Sequence, residues 1–234
     1  MSRKIYIEFF GLPATGKTTI SREIEKLLIA NSNGLVVSRT NANEHQGLMK
    51  LNPMFLINCN IFALKLKSAD KRIPFFDALK RAYNIIKRDF IINKLSKVNL
   101  NDVIVIYDEA AINWVSKFGI AKIGFDRIKN FVSPSFEGWK KIYERVSLDE
   151  KTRLTRKRIR SEERKKLDDY DIKRKNEWGQ DSYNKELDFE LIHKYLSNSK
   201  DIHLISTNTS QKNPAEIAFE IYNYVLELRN DNII

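Results

Sequence analysis

The chain has 234 residues, of which 42% are hydrophobic and 30% are charged, and these proportions exclude a chain that is disordered throughout. Its 41 lysines and arginines outnumber its 30 aspartates and glutamates, and the resulting net charge of +11 favours an anionic ligand, a nucleic acid or a solvated basic surface. Cys59 is the single cysteine, which excludes an intrachain disulfide and a multi-cysteine metal site.

The N-terminus runs directly into a predicted strand, without an apolar signal segment. No uninterrupted apolar run approaches about 18 residues, the length that a membrane-spanning helix needs. We therefore expect a cytoplasmic protein without a membrane span. The length favours one domain over residues 1–234, with a mobile subdomain.

The first predicted elements are a strand at residues 5–10 and an amphipathic helix at residues 19–28. The loop between them reads Gly-Leu-Pro-Ala-Thr-Gly-Lys-Thr and matches the phosphate-binding (Walker A) pattern G-x-x-x-x-G-K-[ST] at every fixed position. Backbone N–H groups of such a loop point into one concavity, where the helix dipole also favours negative charge. The pattern therefore predicts a nucleoside triphosphate site.

Each part of this loop has a predicted role. Lys17 would reach the β and γ phosphates, and the Thr18 hydroxyl would bind Mg²⁺. The glycines would let the backbone turn tightly and approach the phosphates closely. The predicted nucleotide-binding residues are Gly11, Pro13, Ala14, Thr15, Gly16, Lys17, Thr18 and Thr19.

A second strand is predicted at residues 35–38, and Arg39 follows it. Carboxyl ends of strands line the ligand crevice in open α/β sheets, so Arg39 is a candidate acceptor-binding residue. Residues 44–70 look helical but interrupted at Pro53. A long amphipathic helix then runs from Pro74 to about Ser96, with Arg88 on or near its polar side.

The most hydrophobic predicted strand covers residues 103–107 and ends at Asp108 and Glu109. A continuous β-branched run of this kind is typical of a central parallel strand. Asp108 would then bind Mg²⁺ or act as a base beside the phosphate loop, with Glu109 as the substitute for that role. The alternative is that Asp108 caps a helix starting at Ala110.

Four further segments complete the pattern. A strand is predicted at about residues 141–148, and a strongly basic segment follows at 151–166. The last strand, at 201–206, precedes a C-terminal helix that ends near Arg229. Strands and helices alternate, which predicts an α/β fold with a parallel sheet covered by helices on both faces.

With these elements in place, the chain resembles the P-loop nucleoside and nucleotide kinases, in particular the thymidylate kinase-like group. After the phosphate loop, residues 146–160 carry the resemblance, since they are similar to the family's strand, helix and arginine run that enters the lid. The resemblance implies a three-layer sandwich with a five-stranded parallel sheet and a basic lid at about residues 150–180. It also implies that Arg156 and Arg160 are lid arginines that neutralise the transferring phosphoryl group, and that Arg88 binds the acceptor.

Two positions depart from the family pattern. The family's Asp-Arg pair is here Asp108-Glu109, and the glutamate that deoxynucleoside kinases place before the first loop glycine is here Phe10. Glu8 lies two residues earlier. These departures favour an acceptor other than a deoxynucleoside monophosphate.

The leading hypothesis is a phosphotransferase that uses ATP and Mg²⁺ to phosphorylate a small molecule, such as a nucleoside, a nucleotide or a sugar or glycan hydroxyl. One alternative is a polynucleotide 5′-hydroxyl kinase, in which Trp139 and Trp178 would stack on bases. Another is a nucleotide-gated switch without an acceptor. A homodimer is an open alternative to the monomer. The predicted sites are catalytic Lys17, Asp108, Arg156 and Arg160, acceptor-binding Arg39, Arg88 and Glu109, and metal-binding Thr18 and Asp108.

Overall fold

We describe the fold from a computed structural model, which describes residues 3–31, 34–38, 53–69, 74–98, 100, 102–108, 111–116, 138–163, 178–199 and 202–230. The strands are β1 (Arg3–Phe10), β2 (Leu35–Val37), β3 (Asp102–Tyr107), β4 (Trp139–Ser147) and β5 (Ile202–Asn208). The helices within these ranges are α1 (Lys17–Asn31), α2 (Pro53–Ala69), α3 (Phe75–Ser96), α4 (Ala111–Ser116), α5 (Glu150–Glu163), α6 (Trp178–Ser197) and α7 (Pro214–Asn230).

The five strands form one parallel sheet in the order β2-β3-β1-β4-β5. β1 lies at the centre, with Glu8 in register with Tyr107 of β3 and Tyr143 of β4. All strands therefore end at the same edge, where the loop that follows β1 meets the residues that follow β3 and β5. The predicted α/β fold, a five-stranded parallel sheet with helices on both faces, is confirmed.

Both faces of the sheet are buried, because side chains of β1 alternate between two hydrophobic clusters. Tyr6 and Phe10 pack on one face with residues of α2, α3, α4 and α6. Ile5, Ile7 and Phe9 pack on the other face with residues of α1 and α7. This burial explains why β1 and β3 read as nearly continuous apolar runs in the sequence.

Local signals set where several helices begin. α7 begins with a reciprocal cap, in which the Glu216 amide donates to Asn213 Oδ1 at 2.9 Å and the Asn213 amide donates to Glu216 Oε2 at 3.1 Å. The sequence predicts a break in the helical pattern at Pro53, and α2 begins at this residue, while residues 44–52 lie outside the described residues. Proline fits the first helical position, where its missing N–H would have no intrahelical partner.

Three sequence predictions fall between residues 126 and 178: a short helix near residues 126–131, and base stacking by Trp139 and by Trp178. The short helix predicted near residues 126–131 lies outside the described residues. Trp139, proposed above as a stacking platform for bases, is only 5% exposed, and its Nε1 donates to Ser96 Oγ at 2.8 Å. The prediction that Trp139 stacks on bases is therefore wrong, since its ring is part of the core. The side chain of Trp178 lies outside the described residues.

Glu144 of β4 is a carboxyl group inside the cluster that packs against α1 and α7. It has no exposed surface and lies in register between Phe9 and Ile205. Burial, more than any neighbouring charge, raises the pKa of Glu144 from 4.5 to about 7, with Glu220 also raising it and Thr207 and Lys212 opposing. The folded protein therefore holds a proton here that the unfolded chain releases.

We expect Glu144 to make the protein less stable as the pH rises from about 4.5 to about 7, because only the folded state still binds the proton in that window. The loss reaches about 3 kcal/mol above pH 7. Glu144→Gln should remove this pH dependence and be more stable than the wild type at pH 8. Urea denaturation from pH 4.5 to 8 measures it, with exposed Glu190→Gln as control. Parallel pH profiles for the wild type and Glu144→Gln would contradict the prediction.

No helix in the described parts of the chain combines the length and the apolar character needed to cross a membrane.

Candidate functional site

The loop between β1 and α1 has the backbone conformation that its sequence predicts. Gly11, Ala14 and Gly16 have φ angles of 138°, 70° and 104°, in the left-handed region that favours glycine. A Cβ on Gly11 would lie 2.2 Å from the Val146 carbonyl oxygen, so only glycine fits where the loop leaves the sheet. The Gly16 carbonyl accepts from the Thr19 and Ile20 amides at 2.9 and 3.0 Å and starts α1.

Lys17 places a positive charge inside this loop. Its side chain is buried, and Nζ donates to the carbonyl oxygens of Gly11 at 3.0 Å and Leu12 at 2.8 Å. The N-terminal turn of α1 adds backbone N–H groups that have no partner within the helix and a favourable dipole. Lysine, amides and dipole together make this loop suited to a polyphosphate.

Asp108 lies beside the loop because β3, which it follows, is the neighbour of β1 in the sheet. Its Oδ2 accepts a hydrogen bond from Thr18 Oγ1 at 2.8 Å, and only 3% of the residue is exposed. A hydroxyl and a carboxylate are oxygen ligands of the kind that Mg²⁺ takes alongside phosphate oxygens. This hydrogen bond holds the Asp108 carboxylate at the phosphate loop, and the described part of α4 begins at Ala111. Both side chains fit Mg²⁺ bound with a triphosphate.

A cavity of about 340 Å³ opens next to this pair, between α1 and the ends of β2 and β3. At its rim, Ser38 Oγ donates to Glu25 Oε1 at 2.5 Å, which ties the end of β2 to α1. Sequence reasoning did not identify the face of α1 that lines this cavity. The signal was present, because polar residues recur at helical spacing along one face of α1. The cavity is lined by Thr18, Ser21, Arg22, Glu25, Ser38, Ile106 and Asp108.

Thr209 is a second residue that sequence reasoning missed. It follows β5 and is buried, and its hydroxyl donates to the Thr15 carbonyl oxygen of the phosphate loop at 2.8 Å. Its amide donates to the Ser147 carbonyl oxygen at 3.0 Å. The available signal was that β5 ends at the same edge of the sheet as β1, so that polar residues after β5 lie near the loop.

Arg88 is not on the polar side of α3, and that prediction is wrong. Its side chain has no exposed surface, and Nη1 lies 3.3 Å from Glu8 Oε2, while Nε donates to Asp89 Oδ1 at 2.8 Å. Glu8 also accepts from the Tyr6 hydroxyl and, at 2.9 Å, from the Ile112 amide. The structure thus places Arg88 in an enclosed ion pair, and its predicted contact with an acceptor stays a prediction.

Burial and neighbouring charges shift the pKa values of Glu8 and Arg88 in opposite directions. Burial raises the pKa of Glu8, and Arg88, the Tyr6 hydroxyl and the Ile112 amide counteract it. Burial and the Glu8 carboxylate raise the pKa of Tyr6 well above its usual range. The pKa of Arg88 is also raised, because Asp89, Tyr6 and Glu8 outweigh its burial, so Arg88 stays charged. This ion pair connects β1, α3 and the start of α4 below the phosphate loop.

The remaining predicted residues lie on α5 or outside the described parts of the chain. Arg156 is exposed on α5, three residues beyond Arg153, which is buried. Arg160 belongs to α5, but its side chain lies outside the described residues, as do Arg39 and Glu109. α5 covers the first part of the lid predicted at about 150–180, and residues 164–177 lie outside the description.

No protein-family model and no curated protein matches the chain. Among solved structures, it is similar to deoxyadenosine kinase from M. mycoides with bound dCTP, at 17% identity and a TM-score of 0.46, over 94% of this chain and 99% of that one. It is also similar to thymidylate kinase from Ehrlichia chaffeensis, at 14% identity and a TM-score of 0.45, over 96% and 99% of the two chains.

Proposed function

We propose that this protein is an ATP-dependent phosphotransferase that moves the γ-phosphate of Mg·ATP to a small-molecule acceptor. The observation that carries the proposal is the Thr18 to Asp108 hydrogen bond of 2.8 Å, next to a loop that encloses the Lys17 ammonium group. A phosphate cradle, a buried cation and a hydroxyl-carboxylate pair are the groups that phosphoryl transfer requires at one place.

The residues of this chain have two roles, which are to bind the phosphates and to stabilise the charge on the transferring group. The loop amides and Lys17 bind the phosphates, and Lys17 neutralises charge that develops on the transferring group. Thr18 and Asp108 would hold Mg²⁺, which when bound would supply further positive charge at the phosphate oxygens. The acceptor oxygen would form a bond to the γ-phosphorus as the bond from that phosphorus to the ADP oxygen breaks, and the acceptor proton would pass to a carboxylate, for which we propose Glu109 when Asp108 holds Mg²⁺.

We propose that the acceptor binds in the cavity beside Asp108. It lies over the ends of β2 and β3, and β2 is separated from β1 by β3. Its described lining includes the cation of Arg22, the carboxylates of Glu25 and Asp108 and several hydroxyl groups, which suits a polar acceptor with hydroxyl groups. Arg39 and Glu109, which follow β2 and β3, are proposed as further acceptor contacts.

We propose that α5 begins a lid that closes over the bound nucleotide. Its basic residues include Arg156 and Arg160, which in the closed state would contact the transferring phosphoryl group. Closure is needed because water in an open site would compete with the acceptor for the phosphoryl group.

The test uses the full chain with Mg²⁺, γ-labelled ATP and separate pools of nucleosides, nucleoside monophosphates, sugars and single-stranded oligonucleotides. We expect label to move into one of the small-molecule pools, and to stop moving when EDTA removes Mg²⁺. Label that appears only as inorganic phosphate with every pool would favour the nucleotide-gated switch. Label in the oligonucleotide pool alone would favour a polynucleotide kinase.

A further inference from the structure

We propose that Thr209 is a positioning residue of the phosphate loop, whose hydroxyl aims the Gly16 N–H at the bound phosphates. This inference rests on the proposed triphosphate site and assigns a role to a residue far from the loop in sequence. Thr209 is separated from Thr15 by 194 positions, and its hydroxyl contacts the loop backbone directly.

The donor and acceptor roles in this contact follow from counting protons. Thr209 Oγ1 lies 2.8 Å from the Thr15 carbonyl oxygen and 3.1 Å from the Ser147 carbonyl oxygen. The Ser147 oxygen already accepts the Thr209 amide at 3.0 Å. A threonine hydroxyl has one proton to donate, so the shorter contact, to Thr15, receives it.

The Thr15 carbonyl oxygen and the Gly16 N–H belong to one planar peptide unit. The described chain has no cis peptide bond, so these two groups lie in the peptide plane and point in opposite directions. Holding the carbonyl oxygen towards Thr209 therefore directs the Gly16 N–H away from Thr209. We infer that this direction is the concavity of the loop, where successive amides form an anion site.

This peptide needs an external anchor because glycine lies on one side of it. Gly16 has a φ of 104°, and glycine moves between positive and negative φ at little cost. Thr15 itself is tied back to the loop, since its Oγ1 donates to the Leu12 carbonyl oxygen at 3.0 Å. The hydrogen bond from the Thr209 hydroxyl then fixes the remaining rotation of the peptide unit between Thr15 and Gly16. Its methyl group packs beside Gly16, 3.6 Å from the position of a Cβ there.

Thr209→Val removes the hydroxyl and keeps the branched shape, whereas Thr209→Ser keeps the hydroxyl. We expect Thr209→Val to raise the Kd of Mg·ADP about tenfold, because one orienting hydrogen bond to the loop is lost. Thr209→Ser should bind within about twofold of the wild type, since the hydrogen bond remains. Titration calorimetry of the full chain well below Tm measures this, and Ser210→Ala, an exposed neighbour, is the matched control.

Thermal unfolding of the same variants separates positioning from general stability. A lower Tm for Thr209→Val with an unchanged Kd would overturn the inference, because Thr209 would then only support the fold. The proposed function would survive that result. If the wild type itself fails to bind Mg·ADP, the triphosphate site is wrong, and this role of Thr209 is overturned with it.

Discussion

Lys17→Ala is expected to lower the kcat of phosphotransfer at least about 100-fold, because it removes the one lysine that the loop encloses at the position of the phosphates. The loop should keep its shape, since its backbone is set by Gly11, Ala14 and Gly16. The measurement is the rate of label transfer from γ-labelled ATP, at saturating Mg²⁺, to the acceptor that the pool experiment identifies.

Lys26→Ala is the matched control for this prediction. Lys26 lies on the same helix, but its side chain is 70% exposed and pairs with Glu23 at 2.8 Å. Exposed pairs of this kind contribute at most about 1 kcal/mol to stability. We expect no change in kcat for Lys26→Ala. Equal rates for Lys17→Ala and the wild type would show that the loop is not the site of phosphoryl transfer.

Arg88→Met is expected to destabilise the folded protein by about 3–5 kcal/mol, because it leaves the Glu8 carboxylate buried without its cation. Burial already disfavours the charged form and raises the pKa of Glu8, and Arg88 is a main opposing influence. For a chain of this length, the loss corresponds to a Tm lower by about 10 °C. Thermal and urea denaturation at pH 7 measure it.

A second substitution tests whether the effect comes from the pair. Glu8→Leu combined with Arg88→Met removes both charges and should recover much of the lost stability. Lys80→Met, at an exposed position of the same helix, should change stability by less than about 0.5 kcal/mol. If Arg88→Met instead keeps full stability and raises the KM for the acceptor, Arg88 binds the acceptor as the sequence first suggested.

The central part of the fold was predictable because its signals are local. β1, the glycine loop and α1 follow one another within residues 3–31, and β3 is a β-branched run with turn residues on both sides. The strand order then brings Asp108 to Thr18, as the parallel α/β pattern predicts. Hydrophobic periodicity and one motif were enough for these elements.

The position of Arg88 was not predictable in the same way, because α3 carries two apolar stripes. The sequence pointed to the stripe of large residues that includes Leu79 and Tyr83, and these residues are half-buried against α2. The fully enclosed stripe, which faces the sheet, begins with two alanines and so is inconspicuous. Its members are Ala78, Ala82, Ile85, Arg88, Ile91, Ile92 and Leu95. Periodicity alone does not reveal that the Glu8 carboxylate lies opposite Arg88, the one charged residue of this stripe.

Sequence signals placed the polar face of α1 and the end of β5 near the site, but they did not identify the hydrogen-bond partners of individual side chains. The bonds from Thr209 to Thr15 and from Ser38 to Glu25 depend on which strand ends meet, and single threonines and serines carry no periodic signal. The Gly11 requirement is similar, because the Val146 carbonyl oxygen that excludes a Cβ belongs to another strand. The motif identified the glycine, and the fold supplied the reason for it.

Binding of a non-hydrolysable ATP analogue, measured by titration calorimetry with Mg²⁺ and again with EDTA, tests the proposed triphosphate site most directly. The arrangement of Lys17, Thr18 and Asp108 predicts binding that weakens strongly without Mg²⁺ and is lost in Lys17→Ala. Asp108→Asn should retain binding in EDTA while losing most of the gain from Mg²⁺. Binding of equal strength with and without Mg²⁺, retained in Lys17→Ala, would contradict the site proposed here.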